Sequence, residues 1–345
     1  MNLKQILHGL LAIPAPSGFE RQARQPLSDL LGGMFDEHIT TPVGNHIFVK
    51  GCGKKNAPRL LLDAHFDTIG FLVSDVLDSG HVRVVNLGGI DRRSLVAAEV
   101  TIHAEQDIHG VFTAPSAVPM SDADAKKLPE LKECFIFTEL TAEELRAKGV
   151  RVGVPVTYRN APLDLGECVV APGMDNRVSA AALVHAVQLL EGEKLPCDIH
   201  LLLSSTEEVA NQPGAKTGAF ATAPQAAIIV DVSWGHSPDG GDKSKCSELG
   251  KGADITRSIE VSRAMAEEII ALAVDKEIPH QVSLSPRYTG TNNSVIAYSN
   301  AGVPSAVIGI PLRNMHTANE VALLSDVEAV AKLVAEYAKT FKGGA

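Results

Sequence analysis

The sequence of 345 residues predicts an α/β fold, a sheet covered by helices on both faces, with a smaller β-rich domain inserted into it. Three observations carry that prediction. Apolar runs ending in polar residues recur at 59–69, 198–205 and 226–232. Segments of helical period lie between and after them, as strands alternating with helices require. From about 71 to 163 the pattern changes to short alternating stretches broken by Gly, Pro and Asp, the signature of a separate β-rich unit.

Taken in chain order, Leu3, Ile6, Leu7, Leu10 and Leu11 follow the i, i+3, i+4 rhythm of an amphipathic helix. His8 and Gly9 interrupt the continuous apolar stretch that a signal peptide needs, which points to a cytoplasmic protein. RLLLDAHFDTI (Arg59 to Ile69) reads as a central strand whose C-terminal end opens into a site. The insert follows, with HVRVVNL, EVTIHA, HGVFTA and GVPVTY as its strands and a short helix at Thr141 to Lys148. The expected division is therefore 1–70 with 164–345 for the α/β domain and 71–163 for the insert.

Asn176 to Glu191 is Ala- and Leu-rich with helical period. Asp198 to Ser205 and Ala226 to Val232 read as strands, separated by a short helix at Lys216 to Ala223. A helix at Ser258 to Lys276, a strand at Ser305 to Ile310 and a closing helix from Ser325 to Phe341, with Ser325 as its N-cap, complete the pattern.

Composition excludes several classes of function. The formal net charge of −10 and the lack of any basic run argue against nucleic acid, whose phosphates need clustered Lys and Arg. No apolar run reaches the ~18 residues of a membrane span. Five scattered cysteines without a CxxC pair favour free thiols in a reducing compartment.

Five residues stand where strands end or loops begin, and each offers an oxygen or an imidazole nitrogen: His65, Asp175, Glu208, Asp231 and His316. Singly, a His after a strand is a hydrogen-bonded structural residue more often than a ligand, and an Asp before a helix is usually an N-cap. Jointly they would meet at the C-terminal edge of one sheet. Two imidazoles and three carboxylates without a thiolate suit zinc, cobalt or manganese, and one bridging carboxylate would let five side chains hold two ions.

Two-metal sites of this kind serve amide and phosphate hydrolysis. Glu207, beside the ligand Glu208, is then placed to take a proton from the attacking water and pass it to the departing amine. Asp67, two residues beyond His65, is a candidate to hold the ring nitrogen of His65 that faces away from the metal.

AHFDTIG (64–70), APGMDNR (171–177), TEEVA (206–210), IVDV (229–232) and NMHT (314–317) together resemble the M42 metallo-aminopeptidases, relatives of glutamyl aminopeptidase and the TET peptidases. PAPSGFE near the N-terminus and ELGKGADI near Gly250 are similar too, so the resemblance spans almost the whole chain.

It implies a dinuclear site in the α/β domain and an inserted domain that supports homo-oligomeric assembly, commonly a dodecamer. Residue by residue, it implies Asp175 as bridge, Glu208 and His316 on one ion, His65 and Asp231 on the other, Glu207 as general base and Asp67 as the partner of His65. Small peptides would be the substrates.

The chain departs from the family where a Gly-Thr-Asp stretch is usual: TGTNNS carries Asn292 and Asn293 after Thr291. Asn293 is thereby a candidate substrate-binding residue that lacks the charge to pair with an ammonium group. Ala210, Met120 and the FTEL stretch at 137–140 are further departures. They leave open a hydrolase of another amide, such as an N-acyl amino acid or N-acyl sugar, and a silent metal-stabilised scaffold.

Overall fold

A computed structural model describes residues 1–115, 121, 127–159, 161–209, 211–237 and 242–343; Met120 and Ala210 lie outside these. The apolar runs form the middle of an eight-stranded mixed sheet. Its strands are β1 (Glu37–Thr40), β2 (His46–Lys50), β3 (Arg59–His65), β4 (Asp198–Ser204), β5 (Ala226–Trp234), β6 (Ala253–Ser258), β7 (His280–Ser285) and β8 (Ser305–Leu312). Their order is β1-β2-β4-β3-β5-β8-β6-β7. The inner four, β4, β3, β5 and β8, run parallel, whereas β2 and β6 lie antiparallel to their inward neighbours.

Side chains alternate across a strand, so a run buried throughout must be covered twice. Leu60, Leu62 and Ala64 point into the core formed with helices Leu3–Leu11, Met174–Leu189 and Leu324–Thr340. Leu61 and Leu202 point the other way, against Ala215 and Ala219 of helix Pro213–Thr222 and Ile296 of helix Asn293–Ile296. Parallel β3 and β4 end level with each other, Ser204 opposite His65, and β5 lies alongside with Ile229 opposite Asp63. One edge of the sheet thus collects the loops that follow all three strands.

Between Gly70 and Tyr158 six strands close into a barrel: Gly70–Val76, Val82–Leu87, Glu99–His103, Asp107–Thr113, Phe135–Phe137 and Pro155–Tyr158. It has its own core, in which Phe71 meets Phe112 at 4.9 Å and Tyr158 at 5.5 Å between ring centroids. Helix Ala142–Ala147 starts on a capping box between Thr141 and Glu144. A separate three-stranded sheet pairs Leu163–Leu165, Cys168–Ala171 and Glu320–Leu323.

Some boundaries differ from the pattern. Ser258 ends β6, and the helix expected from it begins only at Arg263, capped by Ser262. Ser325 lies inside the closing helix, which starts at Leu324 without a side-chain cap. The helix expected from Lys216 opens earlier, at Pro213, where proline's missing N–H costs nothing. Among the described residues no helix is long and apolar enough to cross a membrane. All five cysteines are free.

Candidate metal centre

His65 is the last residue of β3, and Asp231 lies near the end of β5. Asp175 opens the helix that follows Gly173, whose left-handed φ of +71° a side chain would resist. Glu208 sits in the turn after β4, and His316 in the loop after β8. The fold brings these five together as two overlapping groups, His65 with Asp175 and Asp231, and Asp175 with Glu208 and His316, each with ligand atoms within 4.8 Å of one another. Asp175 belongs to both. His65 Nε2 stands 3.1 Å from Asp175 Oδ1 and 3.7 Å from Asp231 Oδ1, while His316 Nε2 stands 3.5 Å from Asp175 Oδ2 and 3.3 Å from Glu208 Oε2.

The tautomer of His65 follows from its other nitrogen. Nδ1 lies 3.0 Å from the backbone carbonyl of Asp67, which can only accept, so Nδ1 carries a proton and Nε2 is the nitrogen turned to the cluster. The Asp67 carboxylate is farther from that ring, at 3.6 Å. It accepts instead from the backbone N–H groups of Glu207 (3.0 Å) and Glu208 (3.1 Å) and from the Ser17 hydroxyl. Asp67 therefore serves both loops: its carbonyl orients His65 and its carboxylate holds the Glu207-Glu208 turn.

Glu207 Oε2 stands 4.0 Å from His65 Nε2, and its Oε1 accepts from Gln212 Nε2 at 3.2 Å. The barrel reaches the other side of the cluster through Gly89, where a Cβ would come within 2.9 Å of the His316 ring. Only glycine permits that approach.

The electrostatics of the cluster fit a cation. Burial, followed by the charge of Asp175, pushes Glu208 up to about 7. Burial also raises Glu207 and lifts Asp231 well above the carboxylate range. Burial opposes charge on His316, but hydrogen bonds to Asp175 and Glu208 outweigh it and carry the ring up to about 10. Acids crowded enough to hold protons, beside imidazoles crowded enough to gain them, mark a place short of positive charge. Glu208 Oε1 is buried without any hydrogen-bond partner, an acceptor that a cation would satisfy.

Asn293 belongs to neither ligand group. It is fully buried, its Nδ2 donating to the Glu260 carbonyl at 2.9 Å and its Oδ1 accepting from Ser305 Oγ at 2.5 Å. Both ends of the amide are spent inside the fold, which corrects the expectation of a substrate contact. Asn292 likewise donates to Asp63 and Ser204, each at 2.8 Å.

Sequence reasoning also missed three buried groups that hold the loops: Ser17, Glu20 and Glu320. The one available signal was an acid at the head of an apolar stretch, as in the run from Glu320 to Leu324.

The model of the M42 glutamyl aminopeptidases matches residues 44–333. The chain belongs to that family. M42 is a metallopeptidase family, and the protein is a metal-dependent, peptide-hydrolysing enzyme. Lysyl aminopeptidase of Pyrococcus furiosus is 30% identical over 335 residues, covering 95% of this chain and 94% of its own. A TET aminopeptidase from a marine sediment Thaumarchaeota archaeon superposes with a TM-score of 0.91 at 26% identity, over 98% of this chain and 96% of that one. A TET peptidase of Pyrococcus horikoshii, which can assemble into a tetrahedron or a large octahedral shell, gives a TM-score of 0.83 at 25% identity over 99% and 100%.

Proposed function

We propose that this M42 enzyme is a two-metal aminopeptidase that removes the N-terminal residue from short peptides. The observation that carries the reading is Asp175, one carboxylate shared by two ligand groups, with a further carboxylate, Glu207, beside them. His65 and Asp231 would hold one ion, Glu208 and His316 the other, and Asp175 would bridge. The donor set suits zinc, cobalt or manganese. The ions would polarise the scissile carbonyl and acidify the attacking water.

The chain's own residues do the rest. Glu207 has one oxygen tied to Gln212 and the other facing the cluster, so it can take the water's proton and return it to the leaving amine. Burial raises its proton affinity, which suits a group that must both accept and release a proton near neutrality. The Asp67 carbonyl keeps the Nε2 lone pair of His65 turned to the cluster.

The likeness to TET peptidases supports a homo-oligomer, with a dodecamer as the expected form and the barrel at 71–163 as the unit that supports assembly. Asn293 was the motive for an acyl-amide hydrolase, and its buried amide removes that motive.

The test is a panel of aminoacyl-p-nitroanilides with acidic, basic, aliphatic and aromatic residues, run on metal-free protein with each ion added back. Metal-dependent release from free-amine substrates, and none from their N-acetylated forms, is the expected result. Hydrolysis of the acetylated forms alone would reverse the assignment.

A further inference from the structure

His316 cannot hold its position through its own backbone preference. Its φ is +65°, in the left-handed region that non-glycine residues occupy only when their surroundings impose it. The loop that carries it is closed at its base by paired backbone hydrogen bonds between Arg313 and Val321, and Thr317 Oγ1 donates to the Asn314 carbonyl inside it. None of these bonds involves His316 itself; its carbonyl accepts from the Asp91 N–H at 3.2 Å, and its N–H donates to Glu320 Oε1 at 2.7 Å. The other oxygen of the same carboxylate accepts the backbone N–H of Asp175 at 3.0 Å.

Glu320 thus joins the backbones of two candidate ligands that are 141 positions apart in the chain, by their own numbering. It comes from neither strand edge of the main sheet. It begins the strand Glu320–Leu323, which pairs antiparallel with Cys168–Ala171 so that Glu320 sits opposite Ala171, four residues before Asp175. The small three-stranded sheet supplies no ligand itself, and through Glu320 it spans both ligand loops.

The carboxylate is fully buried, and the two groups it accepts from are both backbone N–H groups. An acid is costly to bury on such terms, and an apolar residue would pack more cheaply. What an apolar residue could not do is hold two N–H groups at a set separation.

The opposite half of the cluster has other supports. His65 is oriented by the Asp67 carbonyl, and Asp231 lies within β5 with its carboxylate accepting from the Val232 N–H at 2.8 Å.

We propose that Glu320 is the positioning residue for the half of the centre made by Asp175, Glu208 and His316, setting the separation of Asp175 and His316 so that this half binds its ion. The inference rests on the two-ion reading given above. Losing Glu320 should weaken one metal site selectively.

The experiment is a calorimetric titration of the metal-free full-length chain with zinc and with cobalt, for wild type, Glu320→Gln and Glu320→Ala, with thermal melting of each metal-free protein alongside. Gln is isosteric but turns an N–H donor toward one of the two backbone donors, so it breaks half of the clamp with little change in volume. Wild type should take up two ions. Glu320→Gln should bind one of them at least tenfold more weakly and the other within threefold of wild type, and Glu320→Ala should retain one.

Two ions bound with unchanged affinities in Glu320→Gln would overturn the inference and leave the two-ion reading standing. So would equal weakening of both ions accompanied by a lowered melting temperature, which is the result of a merely structural role. A single ion in wild type would overturn the two-ion reading itself, and this inference with it.

Discussion

The two halves of the ligand cluster share Asp175 and are otherwise built by different means. His65 and Asp231 stand on β3 and β5, neighbouring strands of the central sheet, where parallel hydrogen bonding sets their spacing. Glu208 and His316 stand on loops that pass through left-handed backbone, with φ of +60° at Thr206 and +65° at His316. The strand half is part of the core, whereas the loop half is held in place by buried carboxylates that accept backbone N–H groups: Asp67 and Glu20 for one loop, Glu320 for the other. A sheet edge can place ligands with little help. Loops can do so only where the protein buries polar groups to restrain them.

The largest effect is expected between the halves. Replacing Glu207 by Gln removes the proton carrier and keeps both ligand groups, so kcat should fall about 10²- to 10⁴-fold with metal content unchanged. Paired rate and metal measurements check this. A Glu207→Gln enzyme of normal rate would remove Glu207 from its role.

The next effect separates the halves directly. The His65 side chain is 2% exposed and that of His316 28%. Both alanine variants should lose an ion, read by elemental analysis. In metal-free protein, His65→Ala should also cost roughly 1–3 kcal/mol, because the Asp67 carbonyl loses its buried donor, while His316→Ala, at a part-exposed ring, should cost less. Equal losses of stability would erase the distinction between a strand half and a loop half.

The same distinction decides what was legible from sequence. β3, β4 and β5 announced themselves because strands covered on both faces must be apolar throughout, and the polar residues ending each run pointed to the site edge. His65, Asp175, Glu208, Asp231 and His316 stood at such transitions. The outer strands β1 and β7 are half exposed and mixed in composition, so no run marked them. Ser258 was misread for a related reason, since the end of a short strand followed closely by Ser262 as cap resembles one longer helix. The roles of Glu20, Glu320 and the Asp67 carboxylate were hard to read because each joins a backbone N–H group remote in sequence, and every residue except proline carries one. Asn293 shows the converse. Its position in a family motif suggested substrate, while its burial depends on Glu260 and Ser305, which no local pattern connects to it.

The smallest effect concerns Glu20, and its direction depends on the substitution. Glu20 Oε1 alone accepts from the Gly18 N–H and the Thr206 N–H, both at 2.9 Å, just before the turn that carries Glu207. Ala would remove the acceptor shared by both donors and would release Thr206 from a left-handed conformation that a β-branched residue does not hold unaided. Glu207 would lose its placement, and kcat should fall about tenfold. Gln keeps an oxygen in the same place, so Glu20→Gln should stay within about twofold of the wild-type rate.

Its stability should respond to pH. Burial, and then the charge of Asp67, raises Glu20 from 4.5 to about 7, so the fold favours the protonated acid and ionisation is penalised. Below pH 4.5 the acid is protonated in both states and costs the fold nothing. The penalty grows as pH rises from there to about 7 and is constant above. Glu20→Gln abolishes it, so the variant should gain on wild type across that window, by on the order of 1–3 kcal/mol at its upper end. Chemical denaturation at pH 5 and pH 8 measures the gain. A difference that does not grow between them would mean that the carboxyl is ionised throughout, held by its N–H partners rather than opposed by its burial.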